Sequence, residues 1–542
     1  MEKKFALVIV LIVSFLAIAS LFHRGLHPTH DGEYHVVRFY EFNKVIRDGS
    51  LYPRWAPDLN YGFGVPLFNF NYPLPNYASS FLHIFGLSFI DAFKMNMAIA
   101  TIFGSIFFFL WTRIFFGNIG GMISSVFYTF SPYHFLDIYI RGSVGEVWAL
   151  AFFPAYLWAM TLYFKNHGGK YFILSAIFLA AIIFSHNILA LMFLPFALSY
   201  MGFLLFKKSK LDKKLLFSLS AVFLLGISLS AIFWMPAIFE RNYVVGLQIN
   251  DYSPNFPQLY QLLFPSWGSG FSGGPLSEQL SFQIGIANLL AVFLAILVLF
   301  KKIDKEKKRI ISFFLLWLAL IFFLMLEVSI PVWKIVPFMD YFQFPWRFLS
   351  LEILIASFLA GSIVYLFKPR VIAAVAITLT IIFGIGYTKP AYYLDRTDSY
   401  YTSRSNFIDG TNSIGNAFNT TWANGINKRQ EKLILAKGNG KISSKSIKST
   451  VYKFTAKLYK DDRIIINTAF FPGWSAYIDG NKTPINIEEN GSFSIKASKG
   501  DHGYEIRFED TPIRRLANLI SLFSILSILL YVLRFVRIKR NK

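Results

Sequence analysis

The chain has 542 residues, 55% of them hydrophobic and only 15% charged, with a mean hydropathy of +0.47. Soluble domains carry about 25% charged residues, so this balance excludes a soluble globular protein and indicates an integral membrane protein. The absence of cysteine excludes disulfides and thiolate chemistry, and the net charge of +22 sits in short loops between apolar runs rather than in a nucleic-acid-binding face.

A bilayer-crossing helix needs about 20 apolar residues. Such runs are predicted near 5–22, 93–116, 119–135, 144–164, 170–185, 187–206, 215–237, 282–300, 310–328, 346–367, 371–387 and 514–536, about twelve spans in all. Alternation places Lys207, Lys208, Lys210, Lys213 and Lys214 on the side of Lys3 and Lys4. The same side receives the cluster Lys301, Lys302, Lys305, Lys307, Lys308 and Arg309, and the tail with Arg534, Arg537, Lys539, Arg540 and Lys542. This positive-inside bias makes both termini cytoplasmic. Ala17-Ile18-Ala19 is compatible with a cleavage site, but the first run is expected to stay as an anchor.

The opposite face carries residues 23–92, 238–281, 329–345 and 388–513. The first of these opens with HDGEYH (His30 to His35). Charges kept near a bilayer are costly, so Asp31, Glu33, His35 and Arg54 become candidates for function. A carboxylate at Asp31 can serve as a general base toward an acceptor hydroxyl, or simply pair with Arg38 or Lys44; the residues alone leave both open. Asp31 with His30 and His35 also offers three donors to a divalent metal, which is possible in type but not favoured without a distant fourth ligand. Residues 51–80 are loop-like and rich in Tyr, Trp, Phe and Pro. They read as an aromatic belt or as a platform for a sugar or lipid headgroup.

Tyr133-His134 with Asp137, and Arg141 with Glu146, fall in the next loop. Acid, imidazole and guanidinium together can hold a phosphate and position a base, although Asp137 and Arg141 also have ion-pair spacing. His186 marks a helix end, as a cap or a substrate contact. Gln343-Phe344-Pro345-Trp346-Arg347 opens another helix, with proline suited to the first turn. Arg347 there is either a bidentate phosphate ligand or a snorkelling cation.

From 388 to 513 the chain turns polar and then alternates with period two, which predicts a small antiparallel β-sandwich. Its predicted strands are 451–459, 463–471, a hairpin over 475–487 turning at Asp479-Gly480, 492–497 and 503–509. Asn419, Asn481 and Asn490 match the glycan-acceptor triplet, as expected by chance in an Asn-rich block. No phosphate-binding glycine loop, dinucleotide fingerprint or zinc-protease motif is present, so ATP-driven transport by this chain alone is not expected. The expected domains are a membrane domain over 1–387 that includes loop 23–92, a β-rich domain over 388–513, and a final span with a basic tail over 514–542.

HDGEYH, YGFGVPLFNFNYPLPNY, RGSVGE, SHN, PVWKIVPFMDYFQFPWRFL and FFPGWSAYIDG are spread over nearly the whole chain. Together they resemble the GT-C superfamily of membrane glycosyltransferases, and more narrowly the 6-pyruvoyl-tetrahydropterin synthase-related membrane domain and YfhO-like proteins. The resemblance implies a GT-C-like helical bundle with an extracytoplasmic β domain. It implies an inverting glycosyltransferase in the cell envelope that uses a polyprenyl-phosphate sugar and a glycan, lipid or protein acceptor, with membrane lipids but no nucleic acid as partners. It assigns Asp31 as base, Asp137 or Glu146 as a second acid, and Arg141, His186 and Arg347 as donor-phosphate contacts. Glu33, His35, Arg54, His134 and Gln343 complete the expected substrate contacts. No cofactor is implied, and without an Asp-x-Asp motif transfer is expected to be metal-independent. The alternatives are a non-catalytic scaffold of envelope assembly and a flippase or transporter for lipid-linked glycans.

Overall fold

The computed structural model describes residues 1–206, 213–246, 252–272, 279–403 and 407–540. Lys207, Lys208, Lys210 and Lys542, counted in the charge bias above, lie outside the described residues. Among the described residues, eight helices are long and apolar enough to cross a membrane, or nine when Leu215–Leu229 and Ala231–Phe239 count as one broken span. The predicted count was twelve. Each of those runs is helical, but Gly169–Ser185 and Ile286–Val298 are too short to qualify, and the predicted spans 93–116 and 119–135 are the two arms of one bent stretch, Phe89–Thr129.

That bend has a local cause. Gly117 adopts φ 71° and ψ −178°, which breaks the helix. The two arms then run side by side, with the Ser125 hydroxyl donating to the Ser105 carbonyl at 2.7 Å and the Phe108 and Tyr128 rings stacked at 4.2 Å.

Two compact units divide the chain. The first comprises Met1–Gly32, Phe93–Leu229 and Ile249–Asp395, and the second Glu33–Ala92, Ser230–Gln248 and Arg396–Lys542. In the first unit, the spans Val144–Asn166 and Pro345–Tyr365 are the most enclosed of the eight. Their apolar residues are buried on every side, as expected for helices hydrophobic all round.

The second unit is built on two antiparallel sheets. Its strands are β1 (Leu433–Leu435), β2 (Gly440–Ile447), β3 (Val451–Leu458), β4 (Asp462–Ile466), β5 (Trp474–Ile478), β6 (Asn481–Thr483), β7 (Asn486–Ile487), β8 (Phe493–Ala497) and β9 (Gly500–Phe508). The sheet orders are β1-β4-β8-β7 and β2-β3-β9-β5-β6. Alternate residues of β3 point inward, and Tyr452, Phe454 and Ala456 share one buried cluster with Ile464, Ile466 and Phe493 of the other sheet. The predicted hairpin is present: Ile478 pairs with Asn481 across Asp479 (φ 47°) and Gly480 (φ 83°), the positive angles that a two-residue turn needs. The predicted strand over 463–471 stops at Ile466, and β1 and β2 fall in residues read only as polar.

Trp55 and Phe63, from the aromatic stretch 51–80, belong to this same core. Trp55 is fully buried, with its ring 5.5 Å from Trp474 and 5.4 Å from Phe508. This part of the stretch is neither belt nor platform; it is a structural plug for the sandwich.

Candidate functional site

The site of interest lies in the first unit, where charged residues cap two enclosed spans. Glu146 stands in the first turn of Val144–Asn166, where a helix dipole favours an anion. Arg347 stands in the opening turn Pro345–Phe348 of the other span. Between Thr129 and Val144 the chain forms one α-turn, Pro132–Phe135, and then a six-residue π-helix, Leu136–Arg141. Such wide turns are rare and recur at functional sites.

These pieces converge on Glu146. Arg141 grips its carboxylate with two N–H groups, each at 2.7 Å. Arg347 Nε donates to Glu146 Oε1 at 3.1 Å and the Tyr133 hydroxyl to Oε2 at 2.9 Å. His186 Nε2 lies 3.8 Å from Glu146 Oε1. Arg141 also donates to Asp137 Oδ1, and Arg347 Nη1 donates to Gln343 Oε1 at 2.9 Å. The Trp346 ring covers Arg141, with the guanidinium carbon 4.9 Å from its centroid. Glu146, Asp137, Arg141 and Arg347 are all buried.

Burial, and next the nearby charge of Glu146, push the Asp137 carboxyl well above its ordinary range, against the pull of Arg141. Its second oxygen, Oδ2, has no hydrogen-bond partner among the described residues. Two guanidiniums, those of Arg141 and Arg347, converge on the Glu146 carboxylate, an arrangement of donors suited to an anionic group. Burial lowers the His186 pKa to about 3, so its imidazole is neutral at physiological pH.

Asp31 is tied to this cluster through the backbone. Its N–H donates to the Arg141 carbonyl at 2.9 Å, and the His30 N–H donates to the Ile140 carbonyl at 2.9 Å. Upstream, His27 Nε2 donates to the Ile138 carbonyl at 2.9 Å. Residues 27–31 thus run along the π-helix. Gly142 (φ 66°) permits the close approach, because a Cβ there would fall 2.3 Å from Thr29 Oγ1. The Asp31 side chain is half-buried, and no side chain among the described residues bonds to its carboxylate. His30 turns aside to the Ser269 carbonyl, 2.7 Å away.

Other expected contacts lie elsewhere. His134 sits 3.1 Å from the Tyr128 carbonyl rather than on Glu146, and burial lowers its pKa to about 4. Glu33, His35 and Arg54 belong to the second unit. Glu33 pairs with Arg396 at 3.1 Å, and buried His35 lies among Phe39 and Tyr72. Arg54 donates to Asn69 at 3.1 Å and to Asn518 at 3.2 Å. Asn69 in turn donates to Glu240, which Arg514 also holds. That buried network positions the start of the last helix. Tyr133 and Trp346 are cluster members that the residue-by-residue reading passed over, although both stand inside motifs it singled out. Among the described residues no group of three or more His, Asp or Glu side chains could hold a metal ion.

Residues 68–391, well over half of the chain, match the model of the 6-pyruvoyl-tetrahydropterin synthase related domain, described as a membrane protein. The chain belongs to that family. The family span includes every member of the Glu146 cluster and stops short of Asp31. An uncharacterized protein of Lactococcus lactis subsp. cremoris (strain MG1363) is 25% identical over 342 residues, covering 60% of this family member and 54% of the relative. The chain therefore spans about half the length of that relative. Among solved structures, the apo oligosaccharyltransferase of Archaeoglobus fulgidus aligns with a TM-score of 0.49 at 16% identity, over 76% of this chain and 59% of its own. The arabinofuranosyltransferase AftD from Mycobacteria aligns at 0.46 and 14%, over 73% and 28%. ArnT from Cupriavidus metallidurans, bound to undecaprenyl phosphate, aligns at 0.33 and 13%, over 67% and 78%.

Proposed function

We propose that this membrane protein is an inverting glycosyltransferase that moves a sugar from a polyprenyl-phosphate donor to an acceptor outside the cytoplasm, whether glycan, lipid or protein. One observation carries the reading: an accessible carboxylate, Asp31, with no side-chain partner among the described residues, is fixed by its backbone to Arg141, whose guanidinium belongs to a buried cluster with that of Arg347. The chemistry follows from those two neighbours. Asp31 takes the proton from the acceptor hydroxyl as that oxygen bonds to the anomeric carbon. The bond from that carbon to the donor phosphate breaks, its electrons leave with the phosphate, and direct displacement inverts the centre. The leaving phosphate needs cations rather than a proton, and Arg141 and Arg347 supply them. The sequence resemblance to GT-C enzymes supports the same roles, and the lysine-rich loops support a cytoplasmic location for both termini.

The test is turnover of a polyprenyl-phosphate sugar by the purified full chain in nanodiscs, wild type against Asp31→Asn. General-base loss lowers turnover by about 10²- to 10⁴-fold while donor binding persists. Undiminished turnover in the variant would remove Asp31 from the base role. A non-catalytic scaffold would show no turnover in either protein. Reporter fusions test sidedness: one at residue 305 is expected in the cytoplasm and one at 440 outside it.

A further inference from the structure

A cavity of about 260 Å³ opens in the first unit between the start of helix Ile286–Val298 and the end of helix Pro369–Gly384. It lies behind Pro132, next to the segment that carries Tyr133, and takes no part in the chemistry above. None of its lining residues carries a formal charge. Its polar side chains are two amides, a phenol and a hydroxyl: Gln283, Asn288, Tyr387 and Thr380, the last already donating to the Ala376 carbonyl at 2.7 Å. Tyr387 is braced by stacking on Trp267 at 4.5 Å, and its hydroxyl lies 3.4 Å from Gln283 Oε1, a long and weak contact. Asn288 donates to Ser131 Oγ at 3.3 Å, and its carbonyl oxygen has no partner among the described residues.

The approach to the cavity is hydrocarbon-like. Ile286 and Ile382 line its rim and are 40% and 60% exposed. Below them, Leu290, Phe293 and Leu297 form an exposed stripe at helical spacing on one helix, and Val371 and Val375 are exposed on the other. In a membrane protein such stripes face lipid tails. An amide-and-phenol end joined to two lipid-facing stripes is the negative image of an amphiphile. A charged headgroup is disfavoured there, because a phosphate would lose its water without gaining a counter-charge.

We infer that this groove is a binding site for an uncharged polar lipid. Its hydroxyl-bearing head meets Gln283, Asn288 and Tyr387, and its chain lies along the two stripes. At about 260 Å³ the pocket falls just under the usual range for ligand sites and takes a headgroup about the size of a single ring. The inference does not rest on the transferase reading, since occupancy is measured without turnover.

The experiment uses the full chain in phosphatidylcholine nanodiscs with a monoglucosyl diacylglycerol bearing a photoreactive diazirine in one acyl chain. A phosphatidylglycerol with the same chain is the anionic comparison. The glucosyl probe is expected to label peptides that contain residues 283–297 or 371–387. Labelling should fall about tenfold in Ala287→Trp, which fills the groove, and stay at the wild-type level in Leu320→Trp, an exposed residue on another helix. Wild-type protein gives a readout that needs no variant: excess unlabelled glucosyl lipid should suppress labelling, and excess phosphatidylglycerol should not. Equal competition by the two lipids, or labelling unchanged by Ala287→Trp, would overturn the inference.

Discussion

Replacing Glu146 with Gln keeps the side chain's shape and removes its charge. In the wild type that carboxylate takes two bonds from Arg141, one from Arg347 and one from Tyr133, with no part of it exposed. The amide cannot accept from all of these donors, and it leaves two buried guanidiniums with only Asp137 nearby. Removing one partner of a buried ion pair costs about 3–5 kcal/mol. The expected loss in unfolding free energy for Glu146→Gln is therefore of that size. Arg347→Met should cost less, because Glu146 then keeps its bidentate partner. Gln343→Ala should cost least, about 1 kcal/mol, since it removes one hydrogen bond at a half-buried edge. Detergent-titrated unfolding in mixed micelles measures the series. A loss below about 1 kcal/mol for Glu146→Gln would refute the view that this carboxylate anchors the cluster.

Trp55→Ala should destabilise the second unit by about 3–5 kcal/mol, as expected for deleting a fully buried aromatic, and hydrogen exchange should quicken in β3 and β9; protection unchanged in those strands would contradict the plug role. Gly117→Ala meets no atom within 4 Å, so its cost is purely conformational, about 1–3 kcal/mol, and unaltered stability would argue against the hairpin there. Burial raises Glu41 to about 8 in the folded chain, against 4.5 ordinarily. Below pH 4.5 folded and unfolded chains both hold that proton; between about 4.5 and 8 only the folded chain does, so stability falls as pH rises through this window. Glu41→Gln should flatten that fall, which thermal midpoints across the window would measure.

The charged cluster was legible because charge is expensive in apolar surroundings. Asp137, Arg141, Glu146, His186 and Arg347 were singled out as ionisable groups at span ends, and Gln343 through the motif it opens; the structure brings them together. What the sequence could not convey was direction. Arg54 has the same credentials as Arg347, yet it joins Asn69 and Asn518, because a loop residue's neighbours depend on tertiary packing. The aromatic loop failed for a related reason: a Trp in a sandwich core and one at a membrane interface have the same composition around them. The π-helix left no trace, since one extra residue per turn does not alter hydropathy. The run over 282–300 was read as a full span because hydropathy registers apolar length and cannot detect that its helix, Ile286–Val298, has only 13 residues.

The second unit is stitched from three stretches of chain that are far apart in order of synthesis. Trp55 emerges from the ribosome about four hundred residues before Trp474, the ring it packs against. Until then its hydrophobic face has no permanent home. The β-rich unit must therefore mature last, after the intervening membrane helices have been inserted, and a chain that stalls late would display an unfinished core. Quality control that recognises exposed aromatic surface would find such intermediates easy to mark.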